Sequence, residues 1–128
     1  MDRQAANRGQ SLVEFALTLS LLVMILLGML DLGRAYNAYV IITNAARNGA
    51  YFGSYHPTDS SGIQQRVVLE AQDSGITLTT SNVTISTTGV NSTPIAVTVN
   101  YNFSFLTAFL PGLDALALHS TATMMILR

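Results

Sequence analysis

The stretch that decides the fold is residues 9–34, GQSLVEFALTLSLLVMILLGMLDLGR. Glu14 is its only charged residue before Asp31, and residues 15–30 carry no charge at all. A helix needs about 20 apolar residues to cross the hydrocarbon core of a bilayer. We therefore predict a transmembrane helix over about residues 12–30.

The flanks of this span indicate a retained anchor and its orientation. A cleaved secretory signal has a shorter apolar region that ends in small residues, whereas this run continues into Asp31 and Arg34. Arg3 and Arg8 precede the span, and the positive-inside rule then places the N-terminus in the cytoplasm. We predict a single-pass protein of the cytoplasmic membrane whose remaining residues form an extracytoplasmic head domain.

The helix is expected to continue beyond the membrane. Apolar and polar residues alternate at helical spacing after the span, and no proline occurs before Pro57. One helix from about Gln10 to about Tyr51 is therefore predicted, with an amphipathic outer half. The apolar series of that half is Leu32, Tyr36, Tyr39, Ile42, Ala46 and Ala50.

A second, shorter helix is predicted after a loop over residues 54–62. Ser61 with Gln64 three residues later fits a capping box, and Gly75 is placed to end the helix. Beyond Gly75 the hydrophobic period changes to two, which predicts strands over about residues 83–88, 95–105 and 116–126. The expected fold is α+β, with the two helices covering one face of a small antiparallel three-stranded sheet.

The connection between the second and third strands, residues 105–113, is unusually apolar for a loop. In the preferred interpretation, Leu106, Phe109 and Leu110 fold back and close the core. The alternative is a contact patch for another subunit.

Composition excludes several classes of function. Charged residues make up 10% of the chain and hydrophobic residues 49%, with a net charge of −1 and six basic residues that are scattered arginines. No basic patch for nucleic acid follows from this pattern. With Cys 0 and no acid–base, nucleophile or metal-ligand spacing, we predict no enzyme, no catalytic or metal residues, no cofactor and no small-molecule substrate.

The start of the apolar run carries a more specific signal. Gly9, Gln10 and Glu14, with the hydrophobic residues that follow, resemble the type III signal of prepilins. In such signals a short leader ends in Gly, the next residue becomes the mature N-terminus, and Glu occupies the fifth mature position. The resemblance implies a cytoplasmic leader of residues 1–9 and cleavage between Gly9 and Gln10 by a prepilin peptidase.

Further segments resemble the TadE family of tight-adherence pilus systems. These are the pair Glu14 and Phe15, LDLGR at residues 30–34 and NAARNGA at residues 44–50, and the final strand near residues 124–128 is similar as well. The resemblance thus extends over nearly the whole chain. It implies a pilin-like fold with a long helix, residues 10–54, and a head domain, residues 55–128.

By this resemblance the chain is a pilin or minor pseudopilin that assembles into an extracellular filament through its N-terminal helix, with copies of itself or other pilins as partners. The bilayer holds the helix before assembly. The alternative is a monomeric, membrane-anchored accessory or binding module with a β-rich head domain. The mass of the mature chain and its presence in filaments distinguish the two.

Two pairs of residues in the helix have competing interpretations. Glu14 and Phe15 are assigned to assembly, because a carboxylate inside an uncharged helix needs a partner, and cleavage frees the amine of Gln10 on a neighbouring subunit. Glu14 as an ordinary interfacial residue is the alternative. Gly28 and Gly33 predict either local unwinding during assembly or close packing of helices, and both remain open.

The remaining polar residues give weaker signals. Asp31 and Arg34 are expected to be a solvated surface pair. Asn82, Asn91 and Asn102 begin N-glycosylation triplets and are candidate modification sites, although chance matches are expected in a chain rich in Ser, Thr and Asn.

Overall fold

The computed structural model describes residues 3–88, 92–108, 112 and 115–127, with side chains from Gly9 onward. It contains helices α1 (Arg3–Tyr55) and α2 (Ser60–Asp73), a short 3-10 helix (Thr80–Asn82), and strands β1 (Val83–Thr87), β2 (Pro94–Ser104) and β3 (Ala115–Met125). The strands form one antiparallel sheet in the order β1-β2-β3. The predicted α+β, pilin-like fold is confirmed.

Helix α1 is the dominant element, with 53 residues and a length of about 80 Å at 1.5 Å per residue. It begins at Arg3 rather than at about Gln10, since no proline separates the two positions. It ends at Tyr55, two residues before Pro57, whose ring cannot continue a helix.

Helix α2 begins with a different cap from the one predicted. Asp59 is the N-cap, and its Oδ1 accepts a hydrogen bond from the amide of Gly62 at 2.9 Å. The predicted capping box of Ser61 and Gln64 is wrong, because Asp59 offers an equally good cap two residues earlier and leaves Ser61 inside the first turn. At the other end Gly75, with φ 89°, follows the last residues of the helix as predicted.

The sheet has the alternation that the sequence predicts. Val83 pairs with Val99, and Phe103 pairs with Leu116. One face of β2 is buried and its other face is half-buried or exposed. The buried residues of β2 are Ile95, Val97, Val99 and Phe103.

Strand β2 runs antiparallel to the outer half of α1. Ile95 lies beside Gly53 and Val97 beside Gly49, at the end of α1 farthest from the predicted span. At the other end, the guanidinium of Arg34 lies 5.1 Å from the centre of the Phe103 ring. The turn between β2 and β3 is therefore at the end of the head domain nearest the span.

Small residues let α1 approach both α2 and the sheet closely. A Cβ atom on Gly49 would overlap Cγ2 of Val67 and lie 3.4 Å from Cγ1 of Val97. On Gly53 it would lie 2.6 Å from Cδ1 of Ile95. The outer half of α1 thus lies in the core between α2 and the sheet, and its other small buried residues are Ala35, Ala38, Ala45, Ala46 and Ala50.

Candidate functional site

The inner half of α1 is a bare apolar surface. From residue 9 to residue 30 every side chain is exposed except that of Leu27, which is half-buried. Leu12 is 70% exposed and Leu17 is 69% exposed. Within the described part of the chain, α1 is the one helix long and apolar enough to cross a membrane. The other described residues do not cover this surface. Exposed apolar surfaces of this kind are typical of segments that contact a bilayer or other helices.

The residues predicted for processing and assembly all lie on this bare surface. Gly9, Gln10, Glu14 and Phe15 are exposed, and the bond between Gly9 and Gln10 is inside the helix. The hydroxyl of Thr18 donates to the backbone carbonyl of Glu14 at 2.9 Å. Among the described residues, none donates a hydrogen bond to the Glu14 carboxylate.

Gly28 and Gly33 both have helical backbone in α1. A Cβ atom built at either position meets nothing within 4 Å. Packing among the described residues therefore gives no reason for glycine at these positions. Unwinding during assembly and close contact with another helix both remain predictions.

Asp31 corrects the expectation of a solvated surface pair, because its side chain is buried at 2% exposure. Oδ1 accepts hydrogen bonds from the amide of Leu106 and from the guanidinium of Arg34, both at 2.9 Å. Oδ2 accepts from the amide of Thr107 at 2.9 Å and from its hydroxyl at 2.8 Å. Asp31 thus fastens the β2–β3 turn to α1, directly after the predicted span. Arg34 is the partially exposed member of the pair.

The hydrogen bonds around Asp31 determine its protonation. Burial by itself raises the pKa of the carboxyl group, but the amides of Leu106 and Thr107, the Thr107 hydroxyl and Arg34 all favour the charged form. Their combined effect is larger and lowers the pKa from 3.8 to about 2. Asp31 is therefore a carboxylate at neutral pH.

The apolar turn after β2 also departs from expectation. Leu106 was expected to fold back into the core, yet it is 56% exposed. Its backbone is held by Asp31, which directs the chain along α1 and leaves the side chain outside. Thr107 occupies the buried position instead. Phe109 and Leu110, for which the same expectation was made, lie outside the described residues.

The candidate modification sites differ from one another. Asn102 is exposed at the end of β2. Asn82 is half-buried, and its Oδ1 accepts hydrogen bonds from the amide of Thr79 at 2.9 Å and from its hydroxyl at 2.8 Å. Asn91 lies outside the described residues. Over the described ranges, no group of three or more His, Cys, Asp or Glu residues could hold a metal ion.

Comparison with known proteins bears on the same helix. The profile of a family described as TadE-like protein matches residues 9–50. Over these residues, α1 is similar to that family. The predicted resemblance is thereby confirmed for this segment. No curated protein and no solved structure matches the chain.

The TadE-like segment has clear limits within the fold. It begins at Gly9, includes the bare apolar surface and Asp31, and ends at Ala50, in the part of α1 that packs against α2 and the sheet. It does not reach α2 or the sheet, so the similarity expected for residues 124–128 receives no support from the match. The TadE-like family is a pilus-associated structural family, and the long apolar helix fits that association.

Proposed function

We propose that this chain is a structural subunit, a pilin or minor pseudopilin, of a type IV-like Tad filament, and that it assembles through the inner half of α1. One observation carries the proposal. Residues 9–30 of the TadE-like helix are exposed and apolar, whereas the outer half of the same helix is packed in the hydrophobic core of the head domain. Such a helix can exchange lipid contacts for contacts with the helices of other subunits.

In this proposal a prepilin peptidase removes residues 1–9 before assembly. The bond between Gly9 and Gln10 is helical in the unprocessed chain, so cleavage requires the helix to open there. Glycine makes such opening easier, because it costs about 1 kcal/mol relative to alanine inside a helix. Opening would leave the head domain intact, since the nearest residue buried in the head, Asp31, is six turns away at 3.6 residues per turn.

Glu14 then provides the register between subunits. Its carboxylate has no donor among the described residues, and cleavage would create an amine at Gln10 of each subunit. Pairing of that amine with Glu14 of a neighbour would neutralise both charges among the apolar helices. The same pairing would fix the axial offset between the two subunits.

The test combines two measurements on the full chain, expressed with its own peptidase and assembly proteins. Intact mass spectrometry should show a mature chain that begins at Gln10, and sheared surface filaments should contain it. A Gly9→Leu variant should keep its leader and be heavier by residues 1–9. Gln65→Leu is the control, because Gln65 is exposed on α2 and a leucine there leaves the bond between Gly9 and Gln10 unchanged.

The outcome separates the proposal from its rival. A chain that retains its leader, remains in the membrane fraction and is absent from filaments would be a single-pass accessory or binding module. A Gly9→Leu variant with the same mature mass as the unaltered protein would refute processing at this bond.

A further inference from the structure

The end of the head domain nearest the predicted span carries exposed apolar side chains on separate segments. Leu32 is 72% exposed on α1, Leu106 is 56% exposed in the turn after β2, and Leu116 is 42% exposed at the start of β3. Nearby Phe103 is buried, and its ring packs edge-on against Phe105 at 5.3 Å. The exposed leucines are thus outside a core that is already closed. We call these three residues the base patch.

The position of the base patch along α1 is fixed by Asp31. The uncharged run ends at Leu30, and Asp31 is the next residue, about 1.5 Å further along the helix axis. The amide of Leu106 is hydrogen-bonded directly to Asp31 at 2.9 Å. Residues 12–30 span about 28 Å of helix, close to the thickness of a bilayer's hydrocarbon core. When the span fills the bilayer, Leu106 therefore lies at its outer boundary.

The turn also meets the polar requirement for that position. Backbone amides near hydrocarbon must be hydrogen-bonded within the protein, because water is scarce there. The amides of Leu106 and Thr107 and the hydroxyl of Thr107 all donate to Asp31. Asp31, in turn, has its charge balanced by Arg34. These three donors are therefore satisfied while the leucine side chain remains outside.

We propose that the base patch is a second membrane contact, with Leu106 inserted at the headgroup–acyl boundary of the outer leaflet. The inference rests on the membrane-spanning helix of the proposed function. It adds that the head domain lies with its base patch against the outer leaflet. Continuity with the span favours lipid over a second copy of the chain as the occupant. The patch begins within one helical turn of Leu30, and Tyr36, 70% exposed one turn beyond Leu32, is a residue type enriched at membrane interfaces.

The chain suits a fluorescence test because it contains no Trp. Single-Trp variants Leu106→Trp, Leu22→Trp and Leu127→Trp are reconstituted as full chains in phosphatidylcholine–phosphatidylglycerol vesicles. Some vesicles carry acyl chains brominated near the headgroup, and others carry chains brominated near the bilayer centre. Leu22 is in the span, and Leu127, 54% exposed, is the matched leucine at the distal end of the head domain.

We expect the fluorescence of Leu106→Trp to be quenched more by the shallow bromines than by the deep ones. Its emission maximum in vesicles should lie at a shorter wavelength than in detergent. Leu22→Trp should be quenched by the deep bromines, and Leu127→Trp by neither. Because the chain also contains no Cys, Leu106→Cys and Leu127→Cys provide a second measurement. A membrane-impermeant maleimide should label Leu106→Cys more slowly than Leu127→Cys in vesicles, and equally fast in detergent.

Three results would overturn the inference. If Leu22→Trp is quenched but Leu106→Trp behaves like Leu127→Trp, the span stands and the base contact does not exist. If Leu106→Trp is shielded without quenching, and only at high protein density, a second copy covers the patch. If Leu22→Trp is not quenched, the span itself is wrong, and the proposed function fails together with the inference.

Discussion

The carboxylate of Asp31 and the amide of Thr107 are hydrogen-bonded at 2.9 Å across 76 residues of sequence. This bond joins the first buried residue of α1 after the span to the turn between the last two strands. The Thr107 hydroxyl and the Leu106 amide bond to the same carboxylate. The Asp31 side chain therefore holds the β2–β3 turn against α1. Substitution of Asp31 has predictable effects.

Asp31→Asn should destabilise the full chain in detergent and expose the β2–β3 turn to proteases. Asparagine keeps the shape of the side chain but replaces one acceptor with an amide donor, which would face groups that already donate. Thermal unfolding and limited proteolysis measure the effect. Asp73→Asn is the matched control, because Asp73 is exposed at the last residue of α2. Equal unfolding temperatures for the two variants would mean that Asp31 does not hold the turn.

The same carboxylate predicts a dependence of stability on pH. Its pKa is lowered from 3.8 to about 2 in the folded protein, so the folded state binds a proton less readily than the unfolded state. The resulting stabilisation is complete above about pH 4 and is lost as the pH falls towards about 2. Asp59, whose pKa is also lowered, contributes a similar acid dependence. The difference in unfolding temperature between the unaltered chain and Asp31→Asn isolates Asp31 and should shrink over this range.

The register of β2 gives a sharper test of the sheet. Val99 is fully buried, whereas the hydroxyl of its neighbour Thr98 lies 2.8 Å from that of Thr121 on the opposite face. Val99→Asp should cost about 3–5 kcal/mol, because it buries an unpaired charge or the proton needed to neutralise it. Thr98→Asp should cost about 1 kcal/mol or less. Urea unfolding of both full-length variants measures the difference. Similar unfolding midpoints would mean that the buried face of β2 has been assigned incorrectly.

Glu14 can be tested separately from anchoring. Glu14→Ala and Glu14→Gln should insert and be cleaved normally, because each makes the span less charged. Both should enter filaments poorly, since the amine of Gln10 would lack a carboxylate partner. Glu70→Gln is the matched control in the head domain, where the side chain of Asn48 donates to Glu70 at 2.6 Å. The measurement is the ratio of chain in sheared filaments to chain in membranes.

Normal incorporation of both Glu14 variants, with the unaltered chain confirmed in filaments, would contradict the pairing. Glu14 would then be an ordinary interfacial residue. Failure of Glu70→Gln as well would indicate that the assay responds to the head domain rather than to the helix.

Local patterns predicted the elements of this fold well. The absence of proline before Pro57 indicated the long helix, and period-two alternation indicated the strands. Each of these depends on neighbours within a few residues. The cap of α2 was misplaced for the same reason, because Asp59 and Ser61 offer competing local hydrogen bonds and the sequence does not rank them.

The Asp31 site could not be predicted in this way. Its spacing to Arg34 is a local signal and suggested a solvated pair, but its other donors come from Leu106 and Thr107, distant in sequence. A weak signal was present, since Thr107 is a lone hydroxyl within the apolar stretch of residues 105–110. A buried hydroxyl requires a partner, and a buried carboxylate requires donors. Only the antiparallel course of β2 along α1 brings the two together.

The unbroken course of α1 has a mechanical consequence. The helix passes from the predicted span into the core of the head domain without a linker. The head is hydrogen-bonded to it at both ends, by Asp31 next to the predicted span and by the Leu127 amide, which donates to the Ser54 carbonyl at the far end. While the helix stays intact at Gly28 and Gly33, the head cannot swivel independently of the span. In the proposed membrane-anchored state, a sideways force on the tip of the head would therefore produce a torque on the helix within the bilayer.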